Sequence, residues 1–453
     1  MIREYIENHR EKIINDLLEL VRIPSVSDTP ECDKMLDYVC DIYEKNDFET
    51  EKYEDYALAF YGNGEKSIGL YAHGDVVPAA DDWIHSSAFE PIISDGIAYG
   101  RGISDNKAAI VASLYALKMI NELNIPIKSR LVCFTGANEE SSMNDIRNYL
   151  KSHTPPDFSF VLDAGFPLYL GDKGILWLDC KQKRTLSALK SFSGGSAVNI
   201  IIGNASATLK YSPRLYDELK SHSELEVFLD NGEIIIEAQG LSAHGATPNG
   251  TKNAAGIILN ALMECSDFPA EDKALLEFPC ELLNHYDGKA LGIMGSDSVY
   301  GDNTVTNGIV RIEDGRFSYT LDIRYGTAFS RKQILQRVES LLAEHSTEYS
   351  IIKDGEPKVT DKDSPYVKAC MKAFGDFTGN YEAQPRVNAG GTYSRYLPNA
   401  IEIGTSIGHK RPNLPAGRGG AHQSDEYISV EGMLDALELI INMITEVDRI
   451  NNA

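Results

Sequence analysis

The chain has 453 residues with a formal net charge of −24, and hydrophobic residues make up 43% of it. This length is roughly three times the ~150 residues of a typical domain, so we expect two domains or one domain with a large insertion. No run of lysines and arginines interleaved with aromatic residues is present, which disfavours nucleic acid as a partner. No segment reaches the ~18 consecutive apolar residues of a membrane span, so no membrane partner is expected.

The cysteines and the amino terminus together predict a cellular location. The seven cysteines are scattered along the chain, and no two of them form a CxxC pair. An odd, dispersed set is typical of proteins in a reducing compartment. Residues 1–21 are polar with apolar residues at helical spacing, and they lack the apolar stretch and cleavage site of a signal peptide. We therefore expect a cytoplasmic protein.

In chain order, the first predicted element is an amphipathic helix that ends before Pro24. Short apolar strands are then predicted at residues 67–71, 130–135, 158–162 and 400–404. Helices are predicted at 107–123 and 430–447. This alternation indicates an α/β fold in which helices flank a mixed sheet on both faces.

Residues 180–354 show a different pattern of elements. A strand at 205–210 and a helix after Pro213 precede a hairpin that turns at Asn231 and Gly232. A helix at 253–265, a strand at 317–325 and a helix at 331–345 follow. We interpret 180–354 as an α+β unit inserted into a first domain formed by 1–179 and 355–453.

Potential metal ligands directly follow the predicted strands, where α/β sheets collect functional groups. They are His73, Asp75, Asp105, Glu139, Glu140, Asp163 and, far downstream, His422. Each acidic residue alone is more often a helix cap or part of a solvated loop. Together they provide the nitrogen and oxygen donors that Zn²⁺, Mn²⁺ or Co²⁺ accepts, and two such ions ~3.5–4 Å apart need a bridging carboxylate.

Several blocks of sequence resemble a known family. They are HGDVVP at 73–78, GRGISDNKA at 100–108, the Glu pair at 139–140, LDAGFPLYLGDKG at 162–174, GGTYSR at 390–395 and AHQSDEY at 421–427. In this order they are similar to the dinuclear zinc metallopeptidase family of carnosinase, aminoacylase and peptidase V, and most similar to peptidase V-type dipeptidases. The resemblance implies a zinc-peptidase-type mixed sheet with an inserted α+β lid domain.

The resemblance also implies a role for each residue of the cluster. Asp105 would bridge two divalent ions, with Glu140 and His422 completing one site and His73 and Asp163 the other. Zinc is the expected metal, and manganese or cobalt are the alternatives. Glu139 would be the general base, and Asp75 would hydrogen-bond the far nitrogen of His73 and fix its tautomer.

The inserted unit and the GGTYSR block supply further candidates by the same resemblance. His244 would stabilise the oxyanion, Arg324 would bind a substrate carboxylate, and Asn199 would lie beside them. Without the resemblance, Arg324 would be interpreted as part of a surface salt bridge. Gly391 and Thr392 would offer backbone N–H groups to the substrate, or they form a tight turn without a ligand. Two departures from the family pattern are Ala108 and the stretch 200–203 after Asn199.

The predicted substrate is an unblocked dipeptide. Asp at position 163, where the deacylating and carboxypeptidase branches of the family have Glu, indicates a substrate with a free amine. The inserted unit has about 175 residues, similar to the lid of peptidase V, which implies that the protein functions as a monomer. The alternatives are an N-acyl amino acid deacylase and a catalytically inactive relative, and the presence of Glu139 argues against the second. The other histidines are expected to be structural or on the surface: His9, His85, His153, His222, His285, His345 and His409.

Overall fold

The computed structural model describes residues 1–408, 411–415 and 417–453. The chain divides into two compact units: Met1–Asp172 with Lys358–Ala453, called unit 1, and Lys173–Pro357, called unit 2. The sequence placed the boundaries at 179/180 and 354/355, a few residues inside unit 2. The difference arises because the strands Gly174–Gln182 and Thr347–Gly355 cross those positions and belong to the sheet of unit 2.

The first part of unit 1 alternates helices and strands. Its elements are α1 (Ile2–Val21), α2 (Glu31–Glu44), β1 (Glu49–Lys52), β2 (Tyr56–Tyr61), β3 (Ser67–His73), β4 (Ile92–Ser94), β5 (Ile97–Tyr99), a π-helical turn (Ile103–Lys107), α3 (Ala108–Glu122), β6 (Arg130–Gly136), α4 (Asn144–Ser152), β7 (Phe158–Val161) and β8 (Tyr169–Asp172). Helix α3 is apolar on nearly every side and is buried almost completely, because it packs against α1, the sheet and the last helix of the chain.

Unit 2 is built around an antiparallel sheet. Its elements are β9 (Gly174–Gln182), β10 (Leu189–Gly194), β11 (Asn204–Lys210), α5 (Pro213–Lys220), β12 (Leu225–Asp230), β13 (Glu233–Gln239), α6 (Ala254–Glu264), α7 (Ala270–Asn284), β14 (Ser296–Asp297), β15 (Gly301–Asp302), β16 (Thr304–Thr306), β17 (Val310–Glu313), β18 (Arg316–Tyr325), α8 (Arg331–Glu344) and β19 (Thr347–Gly355). The strand order is β12-β13-β11-β10-β17-β18-β9-β19, with β16 paired to β18. Apolar side chains of α6, α7 and α8 share one core with this sheet.

The chain returns to unit 1 after residue 357. The remaining elements are β20 (Lys358–Val359), α9 (Pro365–Thr378), β21 (Arg386–Asn388), a 3₁₀ turn (Tyr393–Tyr396), β22 (Ala400–Glu402), β23 (Tyr427–Ser429) and α10 (Val430–Asn451). The main sheet has the order β1-β2-β6-β3-β7-β22-β8-β20, with β21 beside β8, and a small sheet has the order β23-β5-β4.

The central strands of unit 1 position the functional groups. β6, β3, β7 and β22 are parallel neighbours, so their carboxyl ends lie at the same edge of the sheet. The α/β fold class predicted from the sequence is confirmed. Among the helices of the described residues, none is both long enough and apolar enough to cross a membrane.

Candidate metal centre

The predicted metal ligands follow the carboxyl ends of the parallel strands. β3 ends at His73, β6 ends three residues before Glu139, and β7 ends two residues before Asp163. Asp105 lies in the turn that leads into α3, and His422 lies in the loop before β23. Because β3 pairs in parallel with both β6 and β7, these strand ends meet at one edge of the sheet.

Asp105 lies between the two histidines. Its Oδ1 atom is 3.2 Å from Nε2 of His73, and its Oδ2 atom is 3.2 Å from Nε2 of His422. The same nitrogen of His422 is 2.9 Å from Oε2 of Glu140, and Nε2 of His73 is 3.9 Å from Oδ1 of Asp163. The structure therefore brings all five predicted ligands together, with Glu140 on the side of His422 and Asp163 on the side of His73.

Two overlapping groups of side chains are compact enough to hold an ion. One ligand atom from each of His73, Asp105 and Glu140 lies within 4.8 Å of the others, and the same holds for His73, Glu139 and Asp163. Imidazole nitrogens and carboxylate oxygens are donors that zinc, manganese and cobalt ions accept. The donor set therefore fits divalent metal ions.

Burial and the crowding of carboxylates alter the pKa values of this cluster. Burial and the Asp105 carboxylate raise the pKa values of Glu140 and Asp163 above their ordinary range. Burial acts in the same direction on Asp105, but hydrogen bonds to His422 and His73 hold its pKa well below the ordinary value. Burial opposes protonation of His422, yet Asp105 and Glu140 raise its pKa to about 11. The carboxylates thus require positive charge at this edge, which divalent cations supply.

Asp75 holds the backbone of the glutamate pair. Its carboxylate accepts hydrogen bonds from the N–H groups of Glu139 and Glu140, both at 3.1 Å, and from the hydroxyl of Ser27 at 2.7 Å. The sequence predicted a hydrogen bond between this carboxylate and His73. In the structure, Nδ1 of His73 is 3.0 Å from the backbone oxygen of Asp75 and 3.5 Å from the carboxylate oxygen Oδ1, so both groups of Asp75 face this nitrogen and the carbonyl is the nearer. Asp75 therefore orients His73 chiefly through its backbone carbonyl.

Glu139 is buried beside the ligands, and burial raises its pKa well above the ordinary range of a glutamate. Its Oε1 atom is buried, and no hydrogen-bond donor in the described part of the chain reaches it. A buried carboxylate oxygen without a donor costs free energy unless a ligand or a water uses it. Both properties are those of a general base that exchanges a proton with a bound molecule.

A pocket of about 420 Å³ opens beside Asp105 and Asp163. Asn106, Tyr169 and Asn388 form part of its wall. This volume lies within the range of roughly 300–1,000 Å³ found for small-molecule sites. The pocket therefore fits a small substrate next to the predicted ligands.

In unit 2, the structure brings Asn199 and His244 together. Nδ2 of Asn199 is 3.3 Å from Nε2 of His244, and the N–H of Ala246 donates to Nδ1 of His244 at 3.2 Å. The N–H of Gly245 donates to the backbone oxygen of Asn199 at 2.7 Å. The imidazole and the amide are thus held in a defined orientation within unit 2, although the stretch after Asn199 departs from the family pattern.

Arg324 is buried on β18 of unit 2, and its guanidinium pairs with Asp322. Nε donates to Asp322 at 2.6 Å and Nη2 donates to the same carboxylate at 3.0 Å. Nε1 of Trp177 donates to Asp322 as well, at 2.8 Å, and the indole ring lies under the guanidinium. The surface salt bridge considered from the sequence is therefore a buried ion pair, which fixes the plane of the guanidinium.

The GGTYSR block is anchored inside unit 1. The N–H of Thr392 donates to Asp172 at 3.1 Å, and the hydroxyl of Thr392 donates to Glu402 at 3.1 Å. Thr392 is buried, so the predicted contact between its N–H and a substrate does not fit this geometry. Gly391, directly before it, is only partly buried.

The remaining histidines have structural surroundings. His9, His85, His153 and His345 stack on the rings of Tyr5, Tyr99, Tyr149 and Phe278, respectively. His222 lies 3.8 Å from Glu264, and His285 is exposed. His409 lies outside the described residues.

The model of peptidase family M20/M25/M40 matches residues 69–446 of this sequence. The chain belongs to this peptidase family. The resemblance inferred from the sequence blocks is confirmed at the level of the family. The matched residues include parts of both units of the protein.

Individual relatives match this protein over nearly its whole length. A protein named "Putative dipeptidase" from Staphylococcus haemolyticus is 26% identical over 475 residues, with 98% of each chain covered. Human carnosine dipeptidase 1 has a TM-score of 0.61 and 15% identity, covering 99% of this chain and 98% of its own. A dipeptidase from Saccharomyces cerevisiae has a TM-score of 0.58 and 15% identity, with 99% and 98% covered. At these identities the two solved structures show a shared fold.

The sequence reasoning missed Asn106, which links two of the predicted metal ligands, His73 and Asp163. Its Oδ1 accepts the N–H of His73 at 3.2 Å. Its Nδ2 donates to the backbone oxygen of Leu162 at 2.6 Å and to Oδ1 of Asp163 at 3.0 Å. Its position directly after Asp105 was the only signal in the sequence.

Glu426 is a second residue that the sequence reasoning missed. It is fully buried and accepts hydrogen bonds from the N–H groups of Gly102, Ser104 and Asp105, at 3.0, 3.0 and 3.1 Å. Arg101 pairs with Oε2 of Glu426 at 2.8 Å, the same oxygen that accepts the N–H of Gly102. Glu426 thereby fixes the turn that presents Asp105, and its place in the AHQSDEY block was the available signal.

Proposed function

We propose that the protein is a metal-dependent dipeptidase that hydrolyses unblocked dipeptides. The observation that carries this proposal is the Asp105 carboxylate, which has one oxygen beside His73 and the other beside His422, close to the buried Glu139. Membership of a peptidase family supports cleavage of a peptide bond. The dipeptidase names of the relatives support a short substrate.

We further propose that the chain holds two divalent ions with Asp105 as the shared ligand. Glu140 and His422 would complete one site, and His73 and Asp163 the other, in agreement with the pairs of contacts around Asp105. Zinc is the proposed metal, and manganese and cobalt are alternatives because they accept the same donors. When bound, such ions supply Lewis acidity, which makes water a stronger acid and polarises a carbonyl group.

In this proposal Glu139 moves the proton. Its carboxylate takes a proton from the attacking water and delivers it to the nitrogen of the scissile bond, so that the amine leaves in neutral form. Burial suits this task because it raises the pKa of Glu139 above its ordinary range, which makes its carboxylate a stronger base. Asp75 keeps the carboxylate in place by binding the backbone N–H groups of Glu139 and Glu140.

Two charged ends of the substrate would limit its length. Asp163 lines the pocket and, as a carboxylate, can attract the free ammonium group of a dipeptide. We propose that Arg324 of unit 2 binds the substrate carboxylate, since Asp322 holds the guanidinium plane that such a contact requires. His244 is the proposed oxyanion donor, oriented by Asn199. Gly391 is kept as a proposed substrate contact.

A panel of substrates tests the reaction. A free dipeptide should be hydrolysed on the order of 10²-fold or more faster than its N-acetylated form or a tetrapeptide, because both analogues leave a buried charge without its partner. Initial rates are measured with added zinc, manganese or cobalt. The matched control is Glu139→Gln protein purified in parallel, which excludes a contaminating peptidase.

The same panel includes N-succinyl and N-acetyl amino acids. If one of these were hydrolysed faster than every free dipeptide, the protein would be an N-acyl amino acid deacylase with the same metal ligands and the same base. If no compound in the panel were hydrolysed with any metal, the enzymatic proposal itself would be contradicted.

We propose that unit 2 supplies His244 to the active site of its own chain, so that a monomer is active. His244→Ala should lower kcat by on the order of 10²-fold or more, as the loss of an oxyanion donor does. Mixing this variant with Glu139→Gln protein should not restore activity. Restored activity would show that the histidine acts in a second copy and that a dimer is the working unit. His285→Ala, which changes an exposed histidine of unit 2, is the matched control and should keep full activity.

We also propose a cytoplasmic location. All seven cysteines are free and buried. Unpaired thiols of this kind are typical of a reducing compartment.

A further inference from the structure

Unit 1 contains a second pair of buried carboxyl groups that the proposed chemistry does not use. Asp172 ends β8 and Glu402 ends β22, and both side chains are 0% exposed. The hydroxyl of Ser394 contacts both, so the two carboxyl groups are neighbours. Two ionised carboxylates close together and away from water repel each other strongly, so such a pair is stabilised when it binds one proton.

The hydrogen bonds around the pair are consistent with one shared proton. Ser394 Oγ lies 2.6 Å from Glu402 Oε1 and 3.1 Å from Asp172 Oδ2, and the hydroxyl of Thr392 lies 3.1 Å from the same oxygen of Glu402, so two hydroxyl hydrogens serve three contacts with the pair. Oδ1 of Asp172 is buried and has no hydrogen-bond partner among the residues that the structure describes. A proton on Glu402 gives the pair the additional donor that it lacks.

The pKa shifts of the two carboxyl groups indicate which of them holds the proton. Burial and Asp172 raise the pKa of Glu402 well above its ordinary range. Burial also raises the pKa of Asp172, but Arg395, with Nη2 at 3.8 Å, opposes this rise and leaves the value at about 6. Lys358 also interacts electrostatically with Asp172. The pKa of Glu402 is therefore raised further than that of Asp172, which favours Glu402 as the member that holds the proton.

The pair is connected to the pocket through Asn388. Nδ2 of Asn388 donates to Oε2 of Glu402 at 3.1 Å, and Oδ1 of Asn388 accepts the N–H of Gly390 at 2.9 Å. Asn388 lines the same pocket as Asp105 and Asp163. Both polar atoms of its amide are therefore held by groups of unit 1, and Glu402 holds one of them.

We propose that Asp172 and Glu402 are positioning residues, a carboxyl pair that shares one proton and holds Asn388 in the orientation in which it forms the wall of the substrate pocket. The inference rests on the proposed function in taking this pocket as the place where the dipeptide binds. The role of the pair is in substrate binding and not in proton transfer to the peptide bond. Its loss should therefore change KM more than kcat.

Three variants test the role in binding. Glu402→Ala and Asn388→Ala should each raise KM for a free dipeptide by on the order of 10-fold, with kcat within about three-fold and metal content unchanged, since a misplaced wall weakens binding without touching the reacting groups. Glu402→Gln should stay within about two-fold of the wild-type KM, because a neutral amide can replace the donor and the acceptor of a protonated carboxyl. An unchanged KM in both alanine variants would overturn the proposal, as would a glutamine variant that behaves like the alanine variant. If Glu402→Ala does not fold, Asn388→Ala and Glu402→Gln decide the outcome.

An infrared measurement tests the shared proton without any substrate. The difference spectrum between metal-loaded wild-type and Glu402→Gln protein at neutral pH should contain the C=O stretch of one protonated carboxyl group, present only in the wild type. Absence of this band would overturn the shared proton whatever the substrate proves to be. If the band is present but no peptide is hydrolysed, the proposed function fails and the protonated pair remains.

Discussion

Replacing Glu139 with Gln is expected to lower kcat by on the order of 10²–10⁴-fold, the usual effect of removing a general acid–base group. The amide can neither accept a proton from water nor return one to the leaving nitrogen. The fold should persist, because no hydrogen-bond donor in the described part of the chain reaches Oε1 of Glu139. The measurement is kcat with a saturating free dipeptide, on wild-type and variant proteins of equal metal content.

Glu54→Gln is the matched control, because it makes the same chemical change at an exposed position of unit 1. This control should have the wild-type kcat. A Glu139→Gln protein that kept more than about a tenth of the wild-type kcat would place the general base elsewhere.

Replacing Asp105 with Ala should remove metal as well as activity. The two oxygens of this carboxylate are each 3.2 Å from a different histidine, so its loss affects both proposed metal sites. Disturbing a mere neighbour of a metal ligand typically costs roughly 10–100-fold in affinity or activity, so loss of a shared ligand should lower kcat/KM by on the order of 10²-fold or more. Elemental analysis of protein purified without chelator should fall from about two ions per chain to about one or none.

Asp217→Ala, at an exposed position on α5, controls for the general loss of an aspartate and should keep both metal and activity. Metal content distinguishes the two active-site variants, because Glu139→Gln should retain the ions that Asp105→Ala loses. Full activity in Asp105→Ala, or wild-type protein that binds no metal when zinc, manganese and cobalt are added, would contradict the proposed centre.

Where local periodicity was strong, the sequence predicted the elements of the fold closely. The helix expected at 107–123 is α3, Ala108–Glu122, and the strand expected at 130–135 is β6, Arg130–Gly136. Helix α7 was missed: it contains Pro279, and an internal proline usually indicates that a helix ends. The predicted boundaries between the units fall inside β9 and β19. These two strands belong to the sheet of unit 2 because they pair with each other, and a pairing between distant segments is not visible in the local sequence.

The sequence by itself determined which chemistry this protein contains. Histidine and carboxylate side chains directly after apolar strands, in blocks of fixed order, were sufficient to identify the family and to predict a ligand set, because the strand ends of a parallel sheet lie at one edge whatever the details of packing. Only the tertiary structure decided which atoms meet. It directed the two oxygens of Asp105 to different histidines, gave His73 the carbonyl of Asp75 as its nearer partner, and used the N–H of Thr392 inside unit 1. Most of these contacts join residues far apart in the chain, and the geometry of all of them depends on rotamers and backbone turns that are fixed only when the whole core has packed.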